Sequence, residues 1–149
     1  MALTHVNESG EAHMVDVSAK PKVRRTAHAA GFIFLAPETV SLIRDNLVAK
    51  GDVLATARIA AIAGAKRTSD LIPLCHNISI DQVSVDLELR EDGVAVEATA
   101  VCTDKTGIEM EALTAVSVAC LTIYDMCKAA DKTMKIGEIQ LLQKTKQTL

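Results

Sequence analysis

Aromatic side chains are the scarcest feature of this 149-residue sequence, which has no tryptophan, one tyrosine and two phenylalanines. A protein that binds single-stranded nucleic acid needs aromatic rings on which bases stack. The formal net charge of −3 also leaves no excess of cations for a sequence-independent grip on a polyphosphate backbone. These shortages argue against nucleic acid as a partner and against a large aromatic-lined pocket. The 22 alanines instead predict a core of small aliphatic residues.

Cysteine and histidine are present, but their spacings propose no metal site. The four cysteines form no Cys-x-x-Cys pair, and no histidine is followed by another at i+4. Zinc-ribbon and thioredoxin-like sites therefore have no support from spacing. In a reducing compartment such cysteines are most simply small buried residues.

No segment has the pattern of a secretory signal or of a membrane span. The first ten residues lack the basic start and the apolar stretch of about 7–15 residues that a signal peptide needs. The most apolar long segment, residues 112–130, is interrupted by Thr114, Ser117, Thr122, Asp125 and Lys128. A span of about 20 residues rarely carries that polar load. We therefore expect a cytosolic protein without a membrane partner.

Hydrophobic periodicity predicts one α+β domain over residues 1–149, with helices on one face of an antiparallel sheet. The clearest signal is a hairpin, because apolar and polar residues alternate on both sides of Asp92-Gly93. Asp52 is the expected N-cap of a helix. Residues 1–22 are expected to be irregular and residues 143–149 to form a tail. The predicted elements are a strand at 23–35, helices at 36–48 and 53–66, a hairpin at 83–102, a helix at 107–131 and a strand at 135–142.

The long helix carries two further expectations. Thr106 and Glu109 have the spacing of a capping box, in which each side chain bonds to the backbone N–H of the other residue. Apolar residues also occur on every side of this helix, and a helix that is apolar all round must be buried all round. Because a sheet covers only one of its faces, we expect a second copy of the chain to cover another.

Three charged residues are the first candidates for chemistry. Asp125 and Lys128 lie three apart on one face of the long helix, and such a pair is usually a weak surface ion pair. The functional alternative gains weight because the surrounding helix is predicted to be buried, where such groups have shifted pKa values. Lys50 precedes the start of a helix, where a lysine is usually solvated but can help to receive phosphate.

The remaining candidates lie in the Pro73 loop and at the start of the long helix. His76 is flanked by structured apolar sequence and is a natural proton carrier near neutral pH. Cys75 lacks the signature of a nucleophile. Glu109 has its expected capping role, whereas Glu111 has none. From the residues alone, the prediction is an oligomeric α+β protein whose cations, histidine and carboxylates converge on an anion. A non-catalytic oligomer that binds a small molecule is the alternative.

Seven stretches carry a resemblance to a known family. They are GEAHMVDVS at 10–18, KGDV at 50–53, ATARIA at 55–60, AKR at 65–67, DLIPLCH at 70–76, KTGIEMEALTA at 105–115 and TIYDMCKA at 122–129. In this order they resemble the MoaC family of molybdenum cofactor biosynthesis, the cyclic pyranopterin monophosphate synthases. The resemblance covers nearly the whole chain, from about residue 5 to 144.

The resemblance implies a ferredoxin-like α+β subunit and a hexamer built as a trimer of dimers, with active sites at dimer interfaces. It also implies a substrate, 3′,8-cyclo-7,8-dihydroguanosine 5′-triphosphate, which is rearranged to cyclic pyranopterin monophosphate with loss of pyrophosphate. Carried over by position, the catalytic residues are Asp125, Lys128 and Lys50. The substrate-binding residues implied in the same way are Leu74, Cys75, His76, Met110, Glu111, Glu109 and Arg24.

One departure concerns the end of the sequence. Family members commonly continue past the lysine that matches Lys144 into a glycine-rich stretch that helps to close the site, and those glycines are absent here. We therefore assign no role in closure to Lys144 or Lys146. The alternative function is a non-catalytic oligomeric module that binds a nucleotide or pterin. Neither function requires a metal or a resident cofactor, although magnesium can accompany a triphosphate.

Overall fold

The computed structural model describes residues 6–149, and the predicted α+β class is confirmed over that range. Residues 1–5 of the predicted irregular segment lie outside the described part. Residues 6–22 contain no helix or strand, and their one regular feature is an isolated antiparallel bridge between Val6 and Ala12. The elements are β1 (Val23–Phe34), α1 (Pro37–Arg44), α2 (Val53–Ala65), α3 (Thr68–Leu71), β2 (Ile80–Arg90), β3 (Gly93–Asp104), α4 (Glu109–Cys127) and β4 (Lys135–Gln147).

The four strands form one sheet in the order β2-β3-β1-β4, and all neighbours are antiparallel. With the order of elements along the chain, this is the ferredoxin-like arrangement. Helices α2 and α4 pack on one face, where α4 covers β1, whose Ala29 and Ile33 are buried, and α2 packs on α4 and β2. The opposite face carries polar contacts such as His28 Nε2 to Glu97 Oε2, 3.0 Å apart.

Small residues set how closely α4 approaches its neighbours. A Cβ atom on Gly31 of β1 would lie 2.6 Å from Val116 Cγ1 of α4. A Cβ atom on Gly64 of α2 would lie 2.8 Å from Val118 Cγ2. Both distances are too short for carbon atoms, so glycine is required at both contacts. The shortage of large side chains is therefore what allows α4 to pack tightly against both β1 and α2.

The first helix is shorter than predicted, because α1 ends at Arg44 rather than at residue 48. Asn46 has a φ of 55°, the left-handed conformation that asparagine tolerates better than most residues. The Asn46 N–H donates to Ile43 O, and the Leu47 N–H donates to Leu42 O. This is the Schellman pattern, which stops a helix. The predicted N-cap of α2 is confirmed, since Asp52 Oδ1 accepts from the Ala55 N–H at 3.0 Å.

The predicted capping box of the long helix is wrong. Helix α4 begins at Glu109, its N-cap is Ile108, and no side chain caps it. Glu109 is therefore the first residue of the helix rather than the third, and Thr106 lies before the cap. The Glu109 carboxylate instead pairs with Lys144 Nζ at 3.2 Å.

The last strand is longer than predicted and includes most of the residues expected to form a tail. Residues 143–147 belong to β4 and pair with the start of β1 in the order Gln143 to His28 through Gln147 to Arg24. This pairing places Lys144 and Lys146 on the sheet. The hairpin is also longer, because β2 begins at Ile80.

Helix α4 is 19 residues long and apolar enough to cross a membrane, yet half of it is buried inside the protein. Its buried face packs on the sheet and on α2, as expected of a core helix. It is not buried all round within one chain, because Leu121 is 59% exposed and Tyr124 is 40% exposed. The prediction that another copy covers this surface stays a prediction.

A buried carboxylate ties the end of α4 to the start of α1. Asp131 Oδ2 accepts from the Ala36 N–H at 2.8 Å and from Thr39 Oγ1 at 2.9 Å. Asp131 Oδ1 accepts from the N–H and the hydroxyl of Thr133, both at 2.8 Å. Burial acts to raise the pKa of Asp131, but these four hydrogen bonds outweigh it and lower the pKa to about 2.

We predict that Asp131→Asn lowers the free energy of unfolding, and that this loss depends on pH. The folded-state pKa of Asp131 is about 2, below its ordinary value of 3.8. The charge therefore contributes its full stabilisation above about pH 4, and this contribution falls away between pH 4 and 2. Across that window the gap between wild type and variant should shrink by about 2 kcal/mol. Urea titrations at several pH values measure it, with the exposed Glu91→Gln as control. A gap that stays constant with pH would contradict the assignment.

Candidate active site

Two lysines hold one carboxylate at the carboxyl end of α4. Lys50 Nζ donates to Asp125 Oδ2 at 2.9 Å and to the Asp125 backbone oxygen at 3.1 Å. Lys128 Nζ lies 3.0 Å from Asp125 Oδ1. The connection from α1 to α2 brings Lys50 to this point through a tight turn, in which Gly51 has a φ of 103°. The structure therefore unites the three predicted catalytic residues.

The two lysines keep Asp125 ionised. The hydrogen bond from Lys50 and then that from Lys128 lower the pKa of the Asp125 carboxyl below its usual range. The predicted burial of this group is wrong for the single chain, because the Asp125 side chain is 57% exposed. An ionised carboxylate can accept a proton but has none to give, so in this state the Asp125 side chain can act only as a base.

A cavity of about 380 Å³ lies at the opposite, amino end of α4. One wall is the loop after α3, one is the start of α4, and one is the irregular segment before β1. Of the predicted substrate-binding residues, Leu74, Cys75, His76, Glu109 and Met110 line it. The remaining lining residues are Val15, Val17, Lys20, Ile72, Ile78, Thr106 and Gly107.

His76 is fixed in one tautomer by the irregular segment. Its Nε2 lies 2.7 Å from the backbone oxygen of Val15. A carbonyl oxygen only accepts hydrogen bonds, so Nε2 carries the proton and donates. The neutral ring therefore keeps Nδ1 as its acceptor, and a proton taken up by His76 must bind there.

Cys75 is not a poised nucleophile. Burial raises the pKa of its thiol, and the negative charges of Glu111 and Glu109 raise it further. A thiol is reactive as the thiolate, which this environment disfavours. Cys75 therefore contributes a surface to the cavity rather than a reactive group.

Glu111 is placed differently from the prediction, because it is 3% exposed and does not line the cavity. Its Oε2 has no hydrogen-bond partner among residues 6–149. Burial raises the pKa of the Glu111 carboxyl, its own backbone N–H opposes the rise, and the charge of Glu109 adds to it. The apolar surroundings on every side of this helix are the one sequence signal for the burial, because a carboxylate in a first helical turn is usually solvated.

A second cavity, of about 260 Å³, adjoins Glu109. It is lined by the start of α4, by Lys144 and Lys146 of β4, and by Arg25 of β1. Arg25, rather than the predicted Arg24, faces this cavity. Consecutive strand residues point to opposite faces, and Arg25 shares the helix-covered face with Ala27. Arg24 is exposed and is not brought together with Glu109 by the single chain.

The predicted site therefore falls into two halves within one chain. The ion cluster lies in the last turn of α4, and the cavity lies at its first turn. Met110 and Asp125 are fifteen positions apart, which at 1.5 Å per helical residue is about 22 Å. The two halves lie too far apart for both to act on the same reacting atoms in one chain.

Among residues 6–149, no three His, Cys, Asp or Glu side chains cluster closely enough to hold a metal ion. Independence from metals stays an expectation.

The fold and the two half-sites define a ferredoxin-like α+β protein with a cavity sized for a small molecule and a separate lysine–carboxylate cluster. A model of the MoaC family matches residues 14–147, and the chain belongs to that family. It is 56% identical over 145 residues to the cyclic pyranopterin monophosphate synthase of Peptoclostridium acidaminophilum, covering 97% of this chain and 92% of the relative.

Two other relatives have related names. The cyclic pyranopterin monophosphate synthase 1 of Mycobacterium tuberculosis strain H37Rv is 56% identical over 146 residues, covering 97% of this chain and 86% of the relative. A molybdenum cofactor biosynthesis bifunctional protein of Chlorobaculum tepidum is 52% identical over 145 residues, covering 97% of this chain and 46% of that protein.

We predict that Lys50→Gln raises the pKa of Asp125 towards its ordinary value, because the hydrogen bond from Lys50 is the largest cause of the lowering. Lys128→Gln should raise it as well, because Lys128 also lowers this pKa through a hydrogen bond and through its charge. Titration of the Asp125 carboxyl carbon by NMR measures both changes. The matched control is Lys135→Gln, an exposed lysine at the start of β4. An Asp125 pKa that is the same in all three variants and in wild type would refute the described cluster.

Proposed function

We propose that this chain catalyses the reaction for which those relatives are named. It converts 3′,8-cyclo-7,8-dihydroguanosine 5′-triphosphate to cyclic pyranopterin monophosphate with release of pyrophosphate, as a step of molybdenum cofactor biosynthesis. The observation that carries the proposal is the cluster in which Lys50 and Lys128 both contact the Asp125 carboxylate. Membership of the MoaC family supports the same reaction.

The reaction needs several proton transfers, because one ring of the substrate opens and another is built. Asp125 is the catalytic acid/base. Its lowered pKa means that it first removes a proton from the substrate and can return one only afterwards. The adjacent ammonium groups favour the ionised carboxylate before the transfer.

The departure of pyrophosphate needs positive charge beside the phosphates. A lysine ammonium has three donors. Lys50 uses two of them on Asp125, and Lys128 uses one on Asp125. Three donors therefore remain between the two lysines to face a triphosphate, and Arg24 is a further cation in this role.

The cavity at the amino end of α4 binds the heterocycle of the substrate. Its lining by Leu74, Cys75 and Met110 covers a flat ring with aliphatic and sulfur atoms, which fits a chain so poor in aromatic residues. His76 contacts the substrate with Nδ1 as its open acceptor. Glu109 and Glu111 complete the proposed substrate-binding set, although in the single chain only Glu109 lines this cavity.

A second copy of the chain joins the two halves. An isologous dimer with its two-fold axis near the middle of α4 sets the carboxyl end of one helix beside the amino end of the other. Met110, Leu121 and Lys128 recur at 11 and 7 positions, so they share one helix face. Met110 and Leu121 are 36% and 59% exposed, which supports this face as the contact. The assembly we propose is a hexamer, a trimer of such dimers, in the cytoplasm.

We predict that the purified protein releases pyrophosphate and an oxidisable pterin from the cyclised GTP derivative. Asp125→Asn should lower turnover about 100-fold or more, because an amide cannot carry the proton. Light scattering should show the same assembly for both proteins, and the exposed Asp86→Asn on β2 is the matched control.

Two results would contradict the proposal. Full activity in Asp125→Asn would remove Asp125 from the reaction. A folded wild-type protein that binds the compound tightly in calorimetry without forming product would instead support the regulatory, non-catalytic module.

A further inference from the structure

One wall of the cavity is a short irregular segment, residues 14–20, which has little structure of its own. Val15, Val17 and Lys20 of this segment line the cavity. Its internal hydrogen bonds are a turn in which the Ser18 N–H donates to Asp16 Oδ1 at 2.8 Å and the Lys20 N–H donates to Val17 O at 3.0 Å. So few bonds cannot by themselves hold a chain segment against the loss of its conformational entropy.

Two side chains from elsewhere in the protein anchor the segment. His76 Nε2 donates to the backbone oxygen of Val15, as described above. Lys105 Nζ donates to the backbone oxygen of Ser18 at 2.9 Å. The positive charge of Lys105 also contributes to lowering the pKa of Asp16, after the larger effects of the Ser18 hydrogen bonds. The segment is therefore held at Val15 and at Ser18, and Lys105 does not line the cavity that the segment forms.

The backbone around Lys105 is itself held in place. Arg25 Nε donates to Asp104 O at 3.2 Å, and Arg25 Nη2 donates to Lys105 O at 3.1 Å. Asp104 Oδ1 accepts from the Lys105 N–H at 2.7 Å. A planar guanidinium that bonds to two consecutive carbonyls fixes both their position and their direction. The backbone of Lys105 is therefore held rigidly just after β3, and its side chain extends from there to the backbone oxygen of Ser18.

We propose that Lys105 is a positioning residue, which holds residues 14–20 as a wall of the substrate cavity without touching the substrate. The effect on turnover rests on the proposed function, whereas the effect on the segment does not. If the segment is already ordered in the free protein, substrate binding does not have to supply the entropy cost of ordering it. Loss of the anchor should therefore weaken binding and leave the chemical step nearly unchanged.

The variant that tests this is Lys105→Met, which keeps the length of the side chain and removes the donor. Hydrogen–deuterium exchange measured by mass spectrometry should show faster uptake in residues 14–20 and unchanged uptake in β3 and α4. With the cyclised GTP derivative, KM should rise about fivefold to tenfold, the net value of one intramolecular hydrogen bond, while kcat changes less than about twofold. Lys105→Arg, which retains a charged donor, should restore both readouts. Lys22→Met, an exposed lysine near the same segment, is the control.

Unchanged deuterium uptake in residues 14–20 of Lys105→Met would show that Lys105 does not anchor the segment. Faster uptake with an unchanged KM would overturn the positioning role. If Lys105→Met loses its fold, Lys105→Gln decides instead, because it keeps a polar side chain but is one bond too short to reach the Ser18 backbone oxygen, and it should raise both uptake and KM. A slow-exchanging segment in that variant would overturn the proposal. If wild type shows no turnover, the proposed function fails, and the exchange data still test the anchor.

Discussion

The length of one helix is the constraint on which the functional account depends. Helix α4 carries the ion cluster of Asp125 in its last turn and Met110 of the cavity in its first. It packs closely on β1 and α2, since a Cβ atom at position 31 or 64 would lie less than 3 Å from a valine of the helix. The helix thus separates the two halves of the predicted site by about 22 Å, which is why the proposed site needs a second chain.

The unusual composition serves this arrangement. Small residues allow α4 to pack closely on the sheet and on α2. The two ends of α4 then differ mainly in the charged residues that they carry. At the carboxyl end the lysines keep a carboxylate ionised in contact with solvent. At the amino end burial keeps a thiol and a carboxyl group closer to their neutral forms. Positive charge is therefore concentrated at Lys50 and Lys128, although the net charge of the whole chain is −3.

Local patterns in the sequence were enough to predict the α+β class, the hairpin and the N-cap at Asp52. They were misleading where a long-range contact decides the outcome. Glu109 matches a capping box by spacing, but it pairs with Lys144, 35 positions later in the chain, in a strand that was expected to end before it. Glu111 has no local reason to be buried, and Asp131 bonds to residues more than 90 positions earlier. Pairings of this kind depend on the packed sheet and cannot be read from neighbouring residues.

Complementation between two inactive variants tests the central claim most directly. Asp125→Asn damages the carboxyl end of α4, and His76→Ala damages the cavity near its amino end. If each site combines the two ends from different chains, a mixed dimer has one site with both defects and one site with neither. Co-expression in equal amounts should then yield about a quarter of wild-type turnover, although each variant alone is inactive. A co-expressed mixture as inactive as its parents would place the whole site within one chain and contradict the account.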